Sequence, residues 1–320
     1  MYKRQGWEVN NVNLKTLVVI AAICICVSSL QAAERTKHVL AIGIDGLRTD
    51  ALDAANTPHI DALKANGSYT NVCKILGTRY QKNDTISGPG WTSYLTGVWA
   101  DKHGVHDNEF GGRRIDRYPH FFNLLKQQYP DYRTASFIDW YPIDKYIVSQ
   151  ADVRVGLEAH GSAGYTQFDK KCADRAIKVL AEEDVRATMV YFGATDENGH
   201  RFGFHPSVPQ YMKAIETVDQ HVGRLLEAVK SRPNYDREDW LVLIASDHGG
   251  EGKGHGSGHK LPNIHNIYFI VSGESAAKGK LTQPIYLVDL VATALKHLDV
   301  KNQAEWQLGG KPVGLLPGQQ

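Results

Sequence analysis

Three aspartates follow apolar runs in this 320-residue chain: Asp45 after residues 38–44, Asp196 shortly after 187–192, and Asp247 after 240–245. Histidines accompany two of them, in Asp196-x-x-x-His200 and Asp247-His248, and His255 and His259 follow in a glycine-rich stretch. One such aspartate reads as a turn or a cap. Three, with His200, His248 and His255 beside them, read as a ligand set. Carboxylate oxygen and imidazole nitrogen suit zinc, and six of these groups suffice for two ions. Two ions close together form a clamp for phosphoryl transfer.

A hydroxyl stands elsewhere, in Ser87-Gly-Pro-Gly-Trp-Thr-Ser-Tyr-Leu-Thr-Gly97, and the chain continues to His103-Gly-Val-His-Asp-Asn108. Pro89 suits the first turn of a helix. Gly88 and Gly90 would let the backbone approach a bound group. A helix starting here aims free N–H groups and a positive dipole end at the Ser87 hydroxyl, a setting for an anion such as phosphate. A Gly/Pro turn opening a core helix explains the same stretch equally well on its own.

The elements that must position these groups alternate between strands and helices. Runs 38–44, 187–192, 240–245 and 266–271 have the continuous apolar character of strands buried on both faces. A strand is also expected at 134–138. Helical spacing covers 118–128, 168–183, 208–229 and 285–298, and Thr57-Pro58 opens a helix that Gly67 stops. This pattern predicts an α/β fold with a mainly parallel sheet, and such sheets place ligands at the C-terminal ends of their strands. Asp196 and His200 are placed in a turn at a strand end. Residues 109–118 are expected to form a loop over the site, in which Arg113 and Arg114 read better as a solvated face than as contacts to an anion.

Composition sets the outer limits. With 42% hydrophobic and 22% charged residues, the chain can bury one large core. A net charge of +1 gives no nucleic-acid signature. Residues 1–33 combine Lys3, Arg4 and Lys15 with a short apolar run at 17–27 and Ala32-Ala33, which reads as a secretory signal peptide. The run is short for a membrane span; an uncleaved anchor is the alternative. The expected organisation is a signal peptide at 1–33, a single catalytic domain at 34–320, export to the periplasm or medium, and no stable membrane span after cleavage. Cys73 and Cys172 remain in the mature chain, where export allows a disulfide and burial allows two free thiols.

The ordered set Ile44-Asp45-Gly46, Ser87-x-Pro89 with Leu95-Thr-Gly97, His103-Gly104 to Asn108, Asp196-x-x-x-His200, Asp247-His248-Gly249 and Gly254-His255-Gly256 resembles the alkaline phosphatase superfamily, and most closely its type I phosphodiesterase/nucleotide pyrophosphatase branch. The resemblance implies a three-layer α/β sandwich and hydrolysis of a small-molecule phosphate ester through a phosphoserine. It implies two divalent ions, zinc being the expected metal. Asp45, Asp247, His248 and the Ser87 oxygen would hold one, and Asp196, His200 and His255 the other, with His259 an alternative to His255. Asn108 would hydrogen-bond a phosphoryl oxygen. Two departures bear on substrate: the branch has Thr as nucleophile and Asn-His after the Pro, where this chain has Ser87 and Gly90-Trp91, so the pocket wall beside the nucleophile differs. A phosphomonoesterase is the runner-up. A sulfatase would carry Arg four residues after the nucleophile, where Trp91 stands, and a non-catalytic metal-binding protein would need neither Ser87 nor Asn108.

Overall fold

The apolar run that precedes Asp45 forms β1 (Thr36–Ile44), and its alternation decides the layering. Val39 and Ala41 point into one core, while Leu40, Ile42 and Ile44 point into the other. A strand with two apolar faces must be covered on both. The computed structural model describes residues 35–77 and 84–318, and the signal-peptide expectation on 1–33 lies outside them. Thr36–Gln320 forms one compact unit.

In chain order the other strands are β2 (Gly67–Lys74), β3 (Arg133–Ile138), β4 (Val153–Gly156), β5 (Val185–Phe192), β6 (Glu238–Ala245), β7 (Asn266–Ser272) and β8 (Gly279–Lys280). They form one sheet in the order β4-β3-β5-β1-β6-β7-β2-β8. The pairs β1–β5, β1–β6, β3–β4, β3–β5 and β2–β8 are parallel, and β7 runs against β6 and β2. The expected mainly parallel sheet is therefore present. Helices at Thr49–Ala54, Pro58–Asn66, Gly161–Glu182 and Pro209–Lys230 supply residues to the core on one face. Those at Ser87–Thr96, Phe121–Gln128, Tyr141–Tyr146 and Asp289–His297 supply the other. This is the expected three-layer sandwich.

Register brings the three strand ends together. Ile44 pairs with Phe192 and Gly43 with Ala245, so β5, β1 and β6 stop side by side. The Asp45 N–H continues the ladder to the Phe192 carbonyl at 3.0 Å. Asp45, the Gly193 turn and Ser246-Asp247 thus emerge at one edge.

Several sequence expectations are corrected. The helix expected at 285–298 spans only Asp289–His297, because the preceding residues lie along β2: Lys74 N–H donates to Ile285 O, and Leu287 N–H to Lys74 O, both at 2.9 Å. The helix expected from Phe168 begins at Gly161. The half-polar β2 and the four-residue β4 gave too little apolar signal to be read as strands. Cys73 and Cys172 are free and buried in the cores on opposite faces of the sheet, so the two do not pair.

One packing contact matters for the site. A Cβ built on Gly43 would lie 2.4 Å from Trp91 and 2.8 Å from Met189. Gly43→Ala should therefore overpack the central strand and cost about 1–3 kcal/mol. Chemical denaturation of the two proteins checks this, and equal midpoints would show that the ring can yield.

Candidate active site

Ser87 is the first residue of α1 (Ser87–Thr96) and is buried to all but 7% of its surface. Its Oγ lies 3.2 Å from His248 Nε2. The adjacent glycines let the helix pack closely against its neighbours. A Cβ at Gly88 would fall 2.2 Å from the Asp107 carbonyl, and one at Gly90 would fall 2.8 Å from Asp247 Cβ. Only glycine lets this helix lie so close to both neighbours. The Gly88 N–H is not free, since it donates to Asn108 Oδ1 at 2.7 Å. That bond fixes the amide orientation and leaves the Asn108 NH₂ as the donor at the cavity.

Asp196 and His200 do not lie in a turn, as the sequence reading placed them. They sit four apart on α2 (Ala194–Phe202), which starts two residues after β5. Helical i,i+4 spacing puts both on one face, with Asp196 Oδ2 3.3 Å from His200 Nε2. His255 joins them, its Nε2 3.0 Å from His200 Nε2 and 3.7 Å from Asp196 Oδ1. Asp45, Asp247 and His248 form a second group: His248 Nε2 is 3.2 Å from Asp247 Oδ2 and 3.5 Å from Asp45 Oδ1. Within each group the ligand atoms lie within 4.8 Å of one another. The rings of His248 and His255 stack at 3.7 Å, which joins the groups. His259 belongs to neither group.

The chemistry of these donors fits a cation. Each histidine turns Nδ1 to a backbone carbonyl: His248 to Gly249 at 2.9 Å, His200 to Lys253 at 3.0 Å and His255 to Thr85 at 2.9 Å. A carbonyl only accepts, so Nδ1 carries the proton and Nε2 presents its lone pair to the site, the arrangement that prepares a metal ligand. Asp45 Oδ1, Asp196 Oδ1 and both oxygens of Asp247 are buried with no hydrogen-bond partner. Buried carboxylates without a partner are costly. Burial, followed by repulsion from Asp196, raises Asp45 to about 6; burial and the charges of Asp45 and Asp196 push Asp247 well above the carboxylate range. Burial also pushes Asp196 upward, but the hydrogen bond from His200 and the nearby histidine charges outweigh it and leave it lowered. The same hydrogen bond raises His200 to about 9, whereas burial lowers His255 to about 4. Without an ion, a proton on His200 supplies the positive charge between lone pairs that otherwise face each other.

Two residues that sequence reasoning did not assign hold Asp45. Its Oδ2 accepts from Trp91 Nε1 at 2.9 Å and from the Tyr191 hydroxyl at 2.6 Å. Trp91 is fully buried, so it is a clamp on Asp45 and not a pocket wall. A cavity of about 190 Å³ opens onto Asp45, Ser87, Asn108, Asp196, His200 and His255, walled by Trp140, Tyr165, Tyr191 and Glu197. Arg113 and Arg114 do not line it. Arg113 lies 4.6 Å over the Tyr146 ring, and Arg114 donates to the Asp101 carbonyl. Thr85, the other hydroxyl near the helix start, donates to the His255 carbonyl and accepts from Gly258 N–H. If Asp45 is a metal ligand, Trp91→Phe should weaken metal retention by about 10- to 100-fold with little loss of packing. Competition with a chelator checks this, and unchanged retention would leave Tyr191 as the sole support.

The type I phosphodiesterase/nucleotide pyrophosphatase family model matches residues 39–253. The rat ectonucleotide pyrophosphatase/phosphodiesterase family member 7 is 25% identical over 256 residues, covering 74% of this chain and 55% of that protein. Its human counterpart is 26% identical over 260 residues, covering 73% and 54%. The chain spans about half the length of these curated relatives. Among solved structures, murine ectonucleotide pyrophosphatase/phosphodiesterase 5, in an inactive variant complexed with AMP, superposes with a TM-score of 0.63 at 15% identity, covering 83% of this chain and 96% of that one. A 2-O GAG sulfatase superposes with a TM-score of 0.64 at 15% identity, covering 89% and 76%. These structures share the fold. No helix among the described residues is long and apolar enough to cross a membrane. By its match over two thirds of its length, the chain belongs to the type I phosphodiesterase/nucleotide pyrophosphatase family of the alkaline phosphatase superfamily.

Proposed function

We propose that this chain is an exported, metal-dependent phosphodiesterase in which residues 1–33 are a signal peptide and 34–320 the catalytic domain. The observation that carries the reading is the set of unpartnered carboxylate oxygens and inward-facing imidazole nitrogens around the Ser87 hydroxyl. Asp45, Asp247, His248 and Ser87 Oγ would hold one divalent ion; Asp196, His200 and His255 would hold another. The mixed N/O donors favour zinc. When bound, such ions lower the pKa of a coordinated hydroxyl and stabilise a developing alkoxide.

The chain's own groups then divide the remaining work. Ser87 Oγ attacks phosphorus and the bond to the leaving alcohol breaks, giving a Ser87 phosphoester. Water breaks that ester and restores the hydroxyl. Asn108, anchored through Oδ1, donates its NH₂ to a non-bridging oxygen, where charge builds up. Ser87 is preferred to Thr85 as the nucleophile because the Thr85 hydroxyl is engaged with the His255 carbonyl and the Gly258 N–H.

A diester is favoured over a monoester because the donor to the phosphoryl oxygens is neutral. Among the described residues no Lys or Arg lines the cavity. A monoester dianion brings an extra charge that a water-poor site would have to balance. A singly charged diester does not.

Ser87→Ala should lower turnover on the order of a thousandfold or more while the fold and most of the metal remain. Near-normal turnover in this variant would reject Ser87 as nucleophile. With one leaving group on both substrates, kcat/KM should favour the aryl diester. A monoester preference of about tenfold, or 1.4 kcal/mol, would reject the diesterase and leave a phosphomonoesterase. Full activity after exhaustive chelation would reject the metal reading. N-terminal sequencing of protein from its native host tests export: a start near Ala32–Ala33 supports it, and an intact Met1 favours an anchor.

A further inference from the structure

Beside the catalytic cavity, two more carboxyl groups are buried that the mechanism above does not use. Asp139 follows β3 directly and precedes Trp140, a cavity wall. Asp169 lies on the helix Gly161–Glu182, four residues after Tyr165, another wall. Their exposures are 0% and 1%. Because β3 pairs with β5 in parallel, Phe137 beside Val190, Asp139 leaves the sheet next to the turn that follows β5.

Asp169 holds that turn. Its Oδ1 accepts from Gly193 N–H at 2.9 Å and its Oδ2 from Ala194 N–H at 3.3 Å. These are the last residue before α2 and its first residue, and α2 carries Asp196 and His200. A Cβ on Gly193 would lie 2.5 Å from the Tyr165 ring, so the turn is confined from that side as well. The Asp139 carboxyl is close enough to that of Asp169 for each to shift the other's ionisation. Both Asp139 oxygens are buried with no donor facing them among the described residues.

Two neighbouring carboxylates in a buried site cannot both stay ionised. Burial, followed by the negative charges of Asp169 and Asp45, pushes the Asp139 carboxyl well above the carboxylate range. Asp169 accepts two backbone N–H bonds, which favour its charged form, whereas Asp139 accepts none. The proton therefore resides on the Asp139 side of the pair.

We propose that Asp139 is a neutral carboxylic acid that donates its proton to Asp169, and that this acid–carboxylate pair is the positioning device for the Gly193–Ala194 turn and hence for Asp196 and His200. The proposal rests on the reading that Asp196 and His200 hold a catalytic ion. Asp139 touches no reacting atom in it. Its role is to place a neutral donor where a second charge would force the pair apart.

The test uses the zinc-loaded full-length enzyme and two substitutions. Asp139→Asn keeps a donor of the same shape, so its kcat/KM and zinc retention should stay within about twofold of wild type. Asp139→Ala leaves Asp169 without its donor. It should weaken zinc retention in chelator competition by about 10- to 100-fold and lower kcat more than it raises KM. An infrared difference spectrum between wild type and Asp139→Asn at neutral pH should show the carbonyl stretch of a protonated carboxylic acid, present only in wild type. A missing band overturns the proton pair. So does an Asn variant as impaired as the Ala variant, while an Ala variant with normal zinc retention overturns the positioning role. If Asp139→Ala does not fold, the Asn variant and the band decide the question. The band does not depend on turnover: a band in a protein without diesterase activity would reject the proposed function and keep the pair, and activity without a band would do the reverse.

Discussion

Three carboxylates and three imidazoles meet around one hydroxyl with no Lys or Arg among the described residues lining their cavity. In water these groups would separate; burial and like charge both oppose the arrangement. The raised Asp45 and Asp247 carboxyls record that opposition, and His200 takes up a proton to relieve it. The surrounding structure must therefore hold the groups against their own repulsion. Two close-packed cores do this from either face of the sheet. Aligned ends of β5, β1 and β6 fix where the aspartates emerge, and glycine at position 90 lets the helix that begins at Ser87 press against Asp247.

Legibility in the sequence followed the range of the interactions. The central strands could be read because a strand buried on both faces is apolar without interruption, and β1 and β6 are such runs. Asp45 and Asp247 could be read because each stands just beyond one of those runs. The helix under Asp196 was not legible: Gly193, Asn198 and Gly199 argue for a turn, and the bonds from Gly193 and Ala194 to Asp169 that settle the start of the helix come from 24 and 25 residues away. Trp91 and Tyr191 were equally silent. Nothing local shows that an indole on a helix and a phenol on a strand will converge on one carboxylate oxygen. The residues before Asp289 have helical spacing, but an open position beside β2 recruits them into extended backbone.

The shared fold of phosphodiesterases and sulfatases shifts the weight of any functional argument onto individual side chains. At the fourth position after Ser87, this chain has an indole sealed inside the core, its N–H directed to Asp45. The position is thus part of the support for Asp45 and is closed to the cavity. An arginine there would bring a buried charge beside Asp45 and would have to replace the ring that fills the space against Gly43, Tyr94 and Tyr191.

One choice recurs beside the site: Asp45 and Asp169 are held by neutral donors. Trp91 and Tyr191 hold Asp45, backbone N–H groups hold Asp169, and the Gly88 N–H orients Asn108. A lysine or arginine would bind a carboxylate more strongly. It would also neutralise it, and would repel a divalent ion brought alongside. A neutral donor takes one oxygen and leaves the net charge in place. Asp45 shows the division: Oδ2 is fully engaged, while Oδ1 faces the site with no partner. That negative charge is costly in the ion-free protein, where burial raises the Asp45 and Asp247 carboxyls. Any stabilisation of that charge by a resident cation would be lost again as affinity for the metal, so the structure instead supports the carboxylates with rigid packing and leaves their charge to the incoming ion.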